Sequence, residues 1–349
     1  MKSTRKYILL FLSLLISTMS FAQKVERSMH VNKAGTLVSQ LTLEEANSIT
    51  HLTLTGKINA VDFKHLRDEF EQLQVLDLSA VDIKGYMGKN GTVDGFTIYN
   101  KNSIPAHAFS EKTDYDPKGK PSLHKVVLSH NIKAIEKFAF ANCPQLFVLF
   151  STSGVAPKLA DSALSPQRTA IFVPAGCKNN YVNKEPWSQF AIIEDEPTRV
   201  NLSLNAQKSL ADGLTEINVQ PHTVNYLTLQ GEVSIDDLQL IRNYMIDLVY
   251  VDLRNTNIEH IPDYTFAQRV NLLTIHLPQG LKSIGIRAFD NCNKMGPELD
   301  LPASVSSIEH EAFIHCQALH TIRALGSNIT ALSDNIFGQN VKSKIVYSY

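Results

Sequence analysis

A phrase of ten residues that returns one repeat later constrains the fold of this chain more than any other feature. Residues 283–292 read SIGIRAFDNC, and residues 307–316 read SIEHEAFIHC. A unit of this length cannot bury its own apolar side, so neighbouring units must stack and cover one another. The sequence therefore predicts a solenoid, and its phenylalanines mark a period of about 23 to 24 residues at Phe266, Phe289, Phe313 and Phe337.

A second pattern, L-x-x-L-x-L, predicts the strands. Its alternating apolar residues suit a short strand with one face on the core. Stacked coils would align these strands as a parallel sheet, which we place on the concave face, with short helical or irregular turns on the convex face. The pattern is stretched by one residue at 295–301, and its regular copies lie at 49–54, 73–78, 123–128, 224–229, 248–253 and 272–277.

The chain contains a tandem duplication. Residues 49–79 align without a gap on residues 224–254, sharing Gly56 with Gly231 and Asp62 with Asp237. In both copies a good N-cap, Asn59 or Ser234, precedes apolar residues at helical spacing, so each block should carry one true helix. We predict a first block over 23–197, closed by a cap around Trp187, and a second block over 198–349 whose cap is apparently missing. The acidic segment 194–198 is the predicted boundary.

The first 22 residues have the pattern of a secretory signal peptide. Three basic residues precede the apolar run 7–16, and the small residues Ser20 and Ala22 suit cleavage before Gln23. No later stretch approaches twenty apolar residues, so no stable membrane span is expected after cleavage. We therefore expect a secreted or cell-surface protein.

Charge and cysteine content narrow the function classes. Lys and Arg total 33 against 34 for Asp and Glu, so the basic footprint of a nucleic-acid binder is missing.

The four cysteines leave two possibilities open. Cys292 and Cys316 occupy equivalent places in consecutive repeats and could be bridged, or they could be small buried apolar residues, as Cys143 at the same motif position suggests.

The repeat closely resembles the BspA-like class of bacterial leucine-rich repeats. The pattern that carries this resemblance is L-P-x-x-(L/V)-x-S-I-x-x-x-A-F-x-x-C-x-x-(L/M), which recurs in register at 277–295 and 301–319. The resemblance implies an α/β leucine-rich-repeat solenoid in a secreted or surface-exposed protein of the adhesion and interaction kind. The two helical coils depart from the strict pattern, and no surface-anchoring module is recognisable.

Catalytic motifs are not evident in the sequence. His310 and His315 flank a glutamate, but their spacing is one residue too long for the H-E-x-x-H zinc motif, so we interpret both as solvent-facing turn residues. No nucleophile elbow, P-loop or dinucleotide fingerprint is present. We therefore predict a protein that is not an enzyme and that needs no metal or cofactor.

The candidate binding residues lie on the strands. In L-x-x-L-x-L the variable positions point away from the core, where aromatic and charged side chains suit a protein or glycan partner. In the first block this face carries Val127, Val148 and Phe150, which would form an exposed apolar patch. The alternative is that all these residues are merely solvated strand positions. The candidates in the second block are Tyr226, Thr228, Tyr250, Asp252, Arg254, Thr274, His276, Asp300 and Arg323.

The sequence also leaves two other functions open, and it contains two insertions. The chain could instead be a structural or assembly component of the cell envelope, or a scaffold accessory to a polysaccharide-acting enzyme, and its oligomeric state is not determined by the sequence. Residues 85–102 and 111–121 predict surface loops, which either carry binding residues or are tolerated insertions.

Overall fold

The computed structural model describes residues 24–111, 116–326, 329–338 and 343–348, so the predicted signal peptide lies outside the described residues. In the first block, three helices are α1 (Leu43–Ser48), α2 (Ala60–Asp68) and α3 (Lys178–Val182). Its strands in chain order are β1 (Glu26–Val31), β2 (His51–Ile58), β3 (Val75–Ile83), β4 (Tyr86–Gly88), β5 (Thr97–Tyr99), β6 (Ser103–Ile104), β7 (Ser110–Glu111), β8 (Lys118–Gly119), β9 (Lys125–Leu128), β10 (Ala134–Ile135), β11 (Val148–Ser151), β12 (Lys158–Leu159), β13 (Ala170–Val173) and β14 (Ala191–Glu194).

The second block repeats this plan with fewer insertions. Its helices are α4 (Leu210–Glu216) and α5 (Ile235–Tyr244), with a short 3-10 helix at Pro221–Thr223. The 3-10 helices Leu37–Gln40 and Trp187–Gln189 belong to the first block. Its strands are β15 (Thr198–Leu204), β16 (Val224–Gly231), β17 (Tyr250–Thr256), β18 (His260–Ile261), β19 (Thr274–His276), β20 (Ser283–Ile284), β21 (Glu298–Leu301), β22 (Ser307–Ile308), β23 (Thr321–Leu325), β24 (Ala331–Leu332) and β25 (Lys344–Ser348).

The sheets are those of a leucine-rich-repeat solenoid of two blocks, as predicted. In the first block one parallel sheet runs β1-β2-β3-β9-β11-β13-β14, and the second block continues with β15-β16-β17-β19 and β21-β23-β25. Two short parallel sheets, β12-β10-β6 and β18-β20-β22-β24, run along the side of the coils. The hairpins β4-β5 and β7-β8 are antiparallel, the first within the predicted insertion 85–102 and the second at the predicted insertion 111–121.

The duplicated coils match in hydrogen bonding as well as in sequence. Asn59 and Ser234 cap α2 and α5 as predicted, and each helix has a full capping box completed by Asp62 or Asp237. Both carboxylates are buried, and each also accepts a backbone N–H from the preceding coil, Leu37 at 2.9 Å for Asp62 and Leu210 at 2.8 Å for Asp237. In each block, one buried aspartate thus links the start of a helix to the backbone of the preceding coil.

Gly56 and Gly231 are required where the duplicated strands end. Both have positive φ, +87° and +84°, and a Cβ there would lie 2.4 Å from the Val31 carbonyl oxygen or 2.3 Å from that of Leu204. Only glycine fits a left-handed backbone pressed against a neighbouring chain. The identity of these two residues in the duplication therefore has a steric cause.

The repeat phrase forms a buried ladder through the second block. Phe289 stacks between two equivalent rings, with centroids 5.4 Å from Phe266 and 5.2 Å from Phe313. Cys292 and Cys316 are unbridged, buried thiols, each donating to the carbonyl of the phenylalanine one repeat earlier. Burial raises the pKa of the Cys292 thiol to about 12, so the sulfur stays protonated and packs as an apolar residue.

A segment of large aromatic side chains closes the first block. Tyr181 and Trp187 are fully buried, with ring centroids 5.4 Å apart in a T-shaped pair. The indole N–H donates to the carbonyl of Pro157 at 2.7 Å, and the Tyr181 hydroxyl donates to Ser151 Oγ at 2.8 Å. These polar tips are satisfied, so the rings can cover the last coil without an unpaired group.

The concave sheet of the second block is divided between β19 and β21, which belong to different sheets. At the corresponding place in other coils, two consecutive N–H groups donate to one carbonyl, as Leu273 and Thr274 do to Val249. Pro297 has no N–H, and the carbonyl of Leu273 receives only Gly296 at 3.3 Å. The missing donor and the stretched repeat at 295–301 together separate the two strands.

Candidate functional site: the concave face of the second block

The two blocks contact each other through the beginnings of their concave strands. An apolar cluster there combines first-block residues with second-block residues, and the Lys294 ammonium donates to the carbonyl of Phe190. The patch expected to be exposed in the first block is covered, because Val148 is fully buried in this cluster and Val127 is also buried. The cluster consists of Val148, Ala170, Phe172, Ala191, Ile193, Tyr226, Val249 and Leu273.

Tyr226 lies in this interface and is not on an open face. Its ring stacks between Phe172 at 6.3 Å and Tyr250 at 6.3 Å, and only 6% of the residue is exposed. Its hydroxyl donates to the carbonyl of Phe147, and the Arg199 guanidinium lies 4.3 Å from the ring centroid. Burial raises the pKa of this phenol, so it remains a neutral donor.

Next to this interface, Tyr250, Asp252 and Arg254 form one connected group. Arg254 Nη2 donates to Asp252 Oδ2 at 2.6 Å and its Nε donates to Oδ1 at 3.0 Å, a bidentate pair. Burial of the Asp252 carboxyl opposes ionisation, but the hydrogen bonds from Arg254 outweigh it and lower the carboxyl pKa. The Tyr250 hydroxyl reaches Asp252 Oδ2 at 3.4 Å, and the Arg254 side chain stays half exposed.

His276 adds a fourth polar side chain in register on the neighbouring strand. It pairs with Asp252 across the ladder, and its ring meets Tyr250 edge to face at 5.5 Å. Burial, and then the positive charge of Arg254, lower the pKa of His276. The neutral imidazole therefore presents one donor and one acceptor at this face at neutral pH.

A cavity of about 540 Å³ opens where β19 and β21 separate. Four of the nine predicted binding residues line it, which are Arg254, Thr274, His276 and Asp300. Apolar walls come from Leu273, Met295 and Leu299, and Gln279 and Glu298 add polar groups that the sequence interpretation did not single out. An apolar lining with a few polar groups is the arrangement expected of a ligand site.

The other candidates lie outside this cavity. Thr228 pairs with Asp252 in the ladder and is partly exposed, while Tyr226 is covered by the first block. Arg323 makes a bidentate pair with Asp300, with Nε to Oδ1 at 2.6 Å and Nη2 to Oδ2 at 2.9 Å. Arg323 therefore fixes the position of Asp300, which lines the cavity. The structure thus brings Tyr250, Asp252, Arg254, Thr274, His276 and Asp300 together as a group, and we refer to it as the concave cluster.

The described part of the chain has neither a metal-ligand cluster nor a helix of membrane-spanning character. Over residues 24–111, 116–326, 329–338 and 343–348, no group of three or more His, Cys, Asp or Glu side chains could hold a metal ion. Among the same residues, no helix has the length and apolar character needed to cross a membrane. His310 and His315 are exposed turn residues, as interpreted from the sequence, and His315 pairs with Asp290 at 2.9 Å.

Comparison with known proteins identifies the repeats. The model of the BspA type leucine rich repeat region matches six copies, over residues 102–155 and 244–348. None of the curated proteins matches the chain.

Two solved bacterial structures are similar over most of their length. One is a leucine-rich repeat protein from Bacteroides ovatus ATCC 8483, with 11% identity, coverage of 87% of this chain and 85% of that one, and a TM-score of 0.27. The other is a leucine rich cell surface protein from Faecalibacterium prausnitzii A2-165, with 13% identity, coverage of 86% and 79%, and a TM-score of 0.25.

Proposed function

We propose that this chain, whose residues 102–155 and 244–348 match the BspA type leucine rich repeat region, is an exported, non-catalytic protein that binds a protein or glycan partner through the concave cluster. The observation that carries the proposal is the cavity of about 540 Å³ beside that cluster, lined by Arg254, Thr274, His276 and Asp300. The signal-peptide pattern of residues 1–22 supports export to the surface or the medium.

The chemistry of the cluster suits polar recognition by preformed groups. Asp252 and Arg254 hold each other in a fixed bidentate geometry, which lowers the entropy lost on binding. Tyr250 and His276 supply ring edges and hydrogen-bonding tips beside that pair. Aromatic and arginine side chains around an apolar lining are the common composition of binding hot spots.

The test is a pair of matched double variants. Asp252→Ala with Arg254→Ala removes the charged pair, whereas Asp77→Ala with Ser79→Ala changes the aligned positions of the first block. In both blocks the aspartate accepts the backbone N–H two residues later, at 3.1 Å from Arg254 and 2.8 Å from Ser79. The two variants therefore lose the same turn contact, and differ in the face that they alter.

Binding is measured on a glycan array and by retention of proteins from bacterial and epithelial surface extracts. We expect the second-block variant to lose at least about tenfold in affinity for whatever the native chain retains, because truncation of hot-spot residues costs about 2 kcal/mol or more. The first-block variant should bind normally. Equal binding by both variants and the native chain would show that the partner contacts another surface.

A further inference from the structure

The hairpin β4-β5 and the residue before its second strand expose three large apolar side chains. Met87 and Ile98 lie directly opposite each other in the antiparallel pair, and Phe96 immediately precedes β5. These side chains are 64%, 70% and 64% exposed, respectively. Apolar residues this exposed and this close together form a patch that calls for a partner.

The hairpin is held rigidly by its other face. Tyr86 and Tyr99 pair across the strands with ring centroids 5.9 Å apart, and Tyr99 is buried. The Tyr99 hydroxyl accepts the Val93 N–H at 2.9 Å, and Thr92 Oγ donates to the carbonyl of Ala106 at 2.6 Å. The insertion predicted as a surface loop is therefore a folded projection in which the ring of Tyr99 is buried.

Lysines flank the strands of the hairpin and lie at its base. Lys89 and Lys101 are exposed at the two ends of the hairpin, and Lys133 is adjacent because its N–H donates to the carbonyl of Asn102. Lys57 and Lys84 lie at the base, and the facing carboxylates are Asp82, which pairs with Lys84, Asp94, and Glu136, which accepts from Ser103 Oγ. Five lysines against three acids make this region positive in a chain whose formal net charge is −1.

We propose that the β4-β5 hairpin docks the protein on an anionic phospholipid surface, with Met87, Phe96 and Ile98 inserted at the interface and the lysines among the headgroups. Shallow burial of an apolar face combined with lysine attraction to anionic lipid is the general mode of interfacial binding. A protein partner fits less well, because residues 85–102 contain no arginine or tryptophan, the side chains that dominate protein interfaces.

The first experiment is co-sedimentation of the purified chain with phosphatidylcholine–phosphatidylglycerol vesicles and with pure phosphatidylcholine vesicles. We expect binding to the anionic vesicles, lowered about tenfold by Met87→Ser with Phe96→Ser and Ile98→Ser. Lys89→Gln with Lys101→Gln should lower it roughly fivefold or more, and only on anionic vesicles. The matched control is Ile235→Ser with Tyr244→Ser and Ile246→Ser, which removes side chains that are 55%, 59% and 54% exposed in the second block and should bind as the native chain does.

A single substitution keeps the proposal testable if the triple variant folds poorly. Phe96→Trp adds an exposed indole to a chain whose one tryptophan, Trp187, is fully buried. Its emission should shift to shorter wavelength on anionic vesicles. The proposal is overturned if the native chain does not bind these vesicles, or if the hairpin variants bind them as the native chain does. It is also overturned if the hairpin variants keep vesicle binding and instead fail to retain a surface protein.

Discussion

The two blocks share a scaffold and differ in what their concave faces carry. At aligned ladder positions the first block has Val127 where the second has His276, and the neighbours of these residues are Asp77 and Asp252, respectively. The later strands of the first block then continue with Val148 and Phe172, both fully buried against the second block. An apolar concave face has thus become an internal interface, whereas the polar one stays open beside a cavity.

The comparison extends to the ends of the duplicated helices. In the first block Lys120 Nζ donates to the carbonyl of Arg67 at the end of α2, and in the second Arg269 Nη2 donates to the carbonyl of Arg242 near the end of α5. Both cations are buried, and burial lowers the pKa of Lys120 to about 8. Different cations therefore serve one purpose, which is to bond carbonyls that have no partner inside the helix.

The largest effect should come from the phenylalanine ladder. Phe289 has a stacked ring on both sides, whereas Phe140 stacks on Phe109 alone at 5.1 Å. Phe289→Ala should lower the free energy of unfolding by about 3–5 kcal/mol. Phe140→Ala should lose less by about 0.5–1.5 kcal/mol, because it gives up one aromatic pair fewer.

Urea unfolding followed by circular dichroism measures both losses. Phe289→Leu and Phe140→Leu serve as controls, since leucine keeps most of the apolar volume and removes only the ring. If the two alanine variants lose the same free energy, ring stacking adds nothing to burial and the blocks do not differ in this respect.

The buried aspartates of the capping boxes should show how closely the blocks correspond. Asp62 accepts the N–H groups of Asn59, Gly35 and Leu37, and Asp237 accepts those of Ser234 and Leu210. Asp62→Ala and Asp237→Ala should each cost about 1–3 kcal/mol, because buried backbone donors lose their partner. The corresponding asparagine variants keep one acceptor oxygen and should lose less. If thermal melts show a loss of stability for only one of the two alanine variants, the duplicated coils do not contribute equally.

The smallest effect should be the contribution of His276 in the second block to the pH dependence of stability. The pKa of His276 is lowered in the folded state, so the unfolded chain binds a proton more readily once the pH falls below the usual histidine pKa of about 6.5. The contribution of His276 to the free energy of unfolding is therefore complete above about pH 6.5 and is lost as the pH falls below that value. The His276→Val variant carries the residue type found at the aligned position of the first block. Its melting temperature should change less than that of the native chain between about pH 7 and pH 5.

His124 of the first block shifts in the same direction, through burial and then the charge of Arg199, so the native chain should keep part of the slope in the valine variant. Substitution of the exposed His320 by Gln is the control and should leave the slope unchanged. A slope that is identical in the native chain and in His276→Val would remove His276 from this account.

The repeat period of the sequence was sufficient for the solenoid and for the buried ladder of Phe289 and Cys292, because these depend on contacts between residues about one repeat apart. The two helices capped at Asn59 and Ser234 were also predictable, because a cap and a helical face depend on residues three to four positions apart. The same reasoning placed Tyr226 and Val148 on open surfaces, because a strand's alternation tells which side chains leave the core and not what meets them outside.

Only the tertiary structure decided which outward positions remain available. The Tyr226 hydroxyl donates to Phe147, 79 residues earlier in the chain, and no repeat pattern encodes a contact between separate blocks. The cavity likewise depends on the separation of β19 and β21, although its cause is visible in the sequence as Pro297 and a stretched repeat. The order of strands is set by local periodicity, whereas the open and closed faces are set by how one block packs on the other.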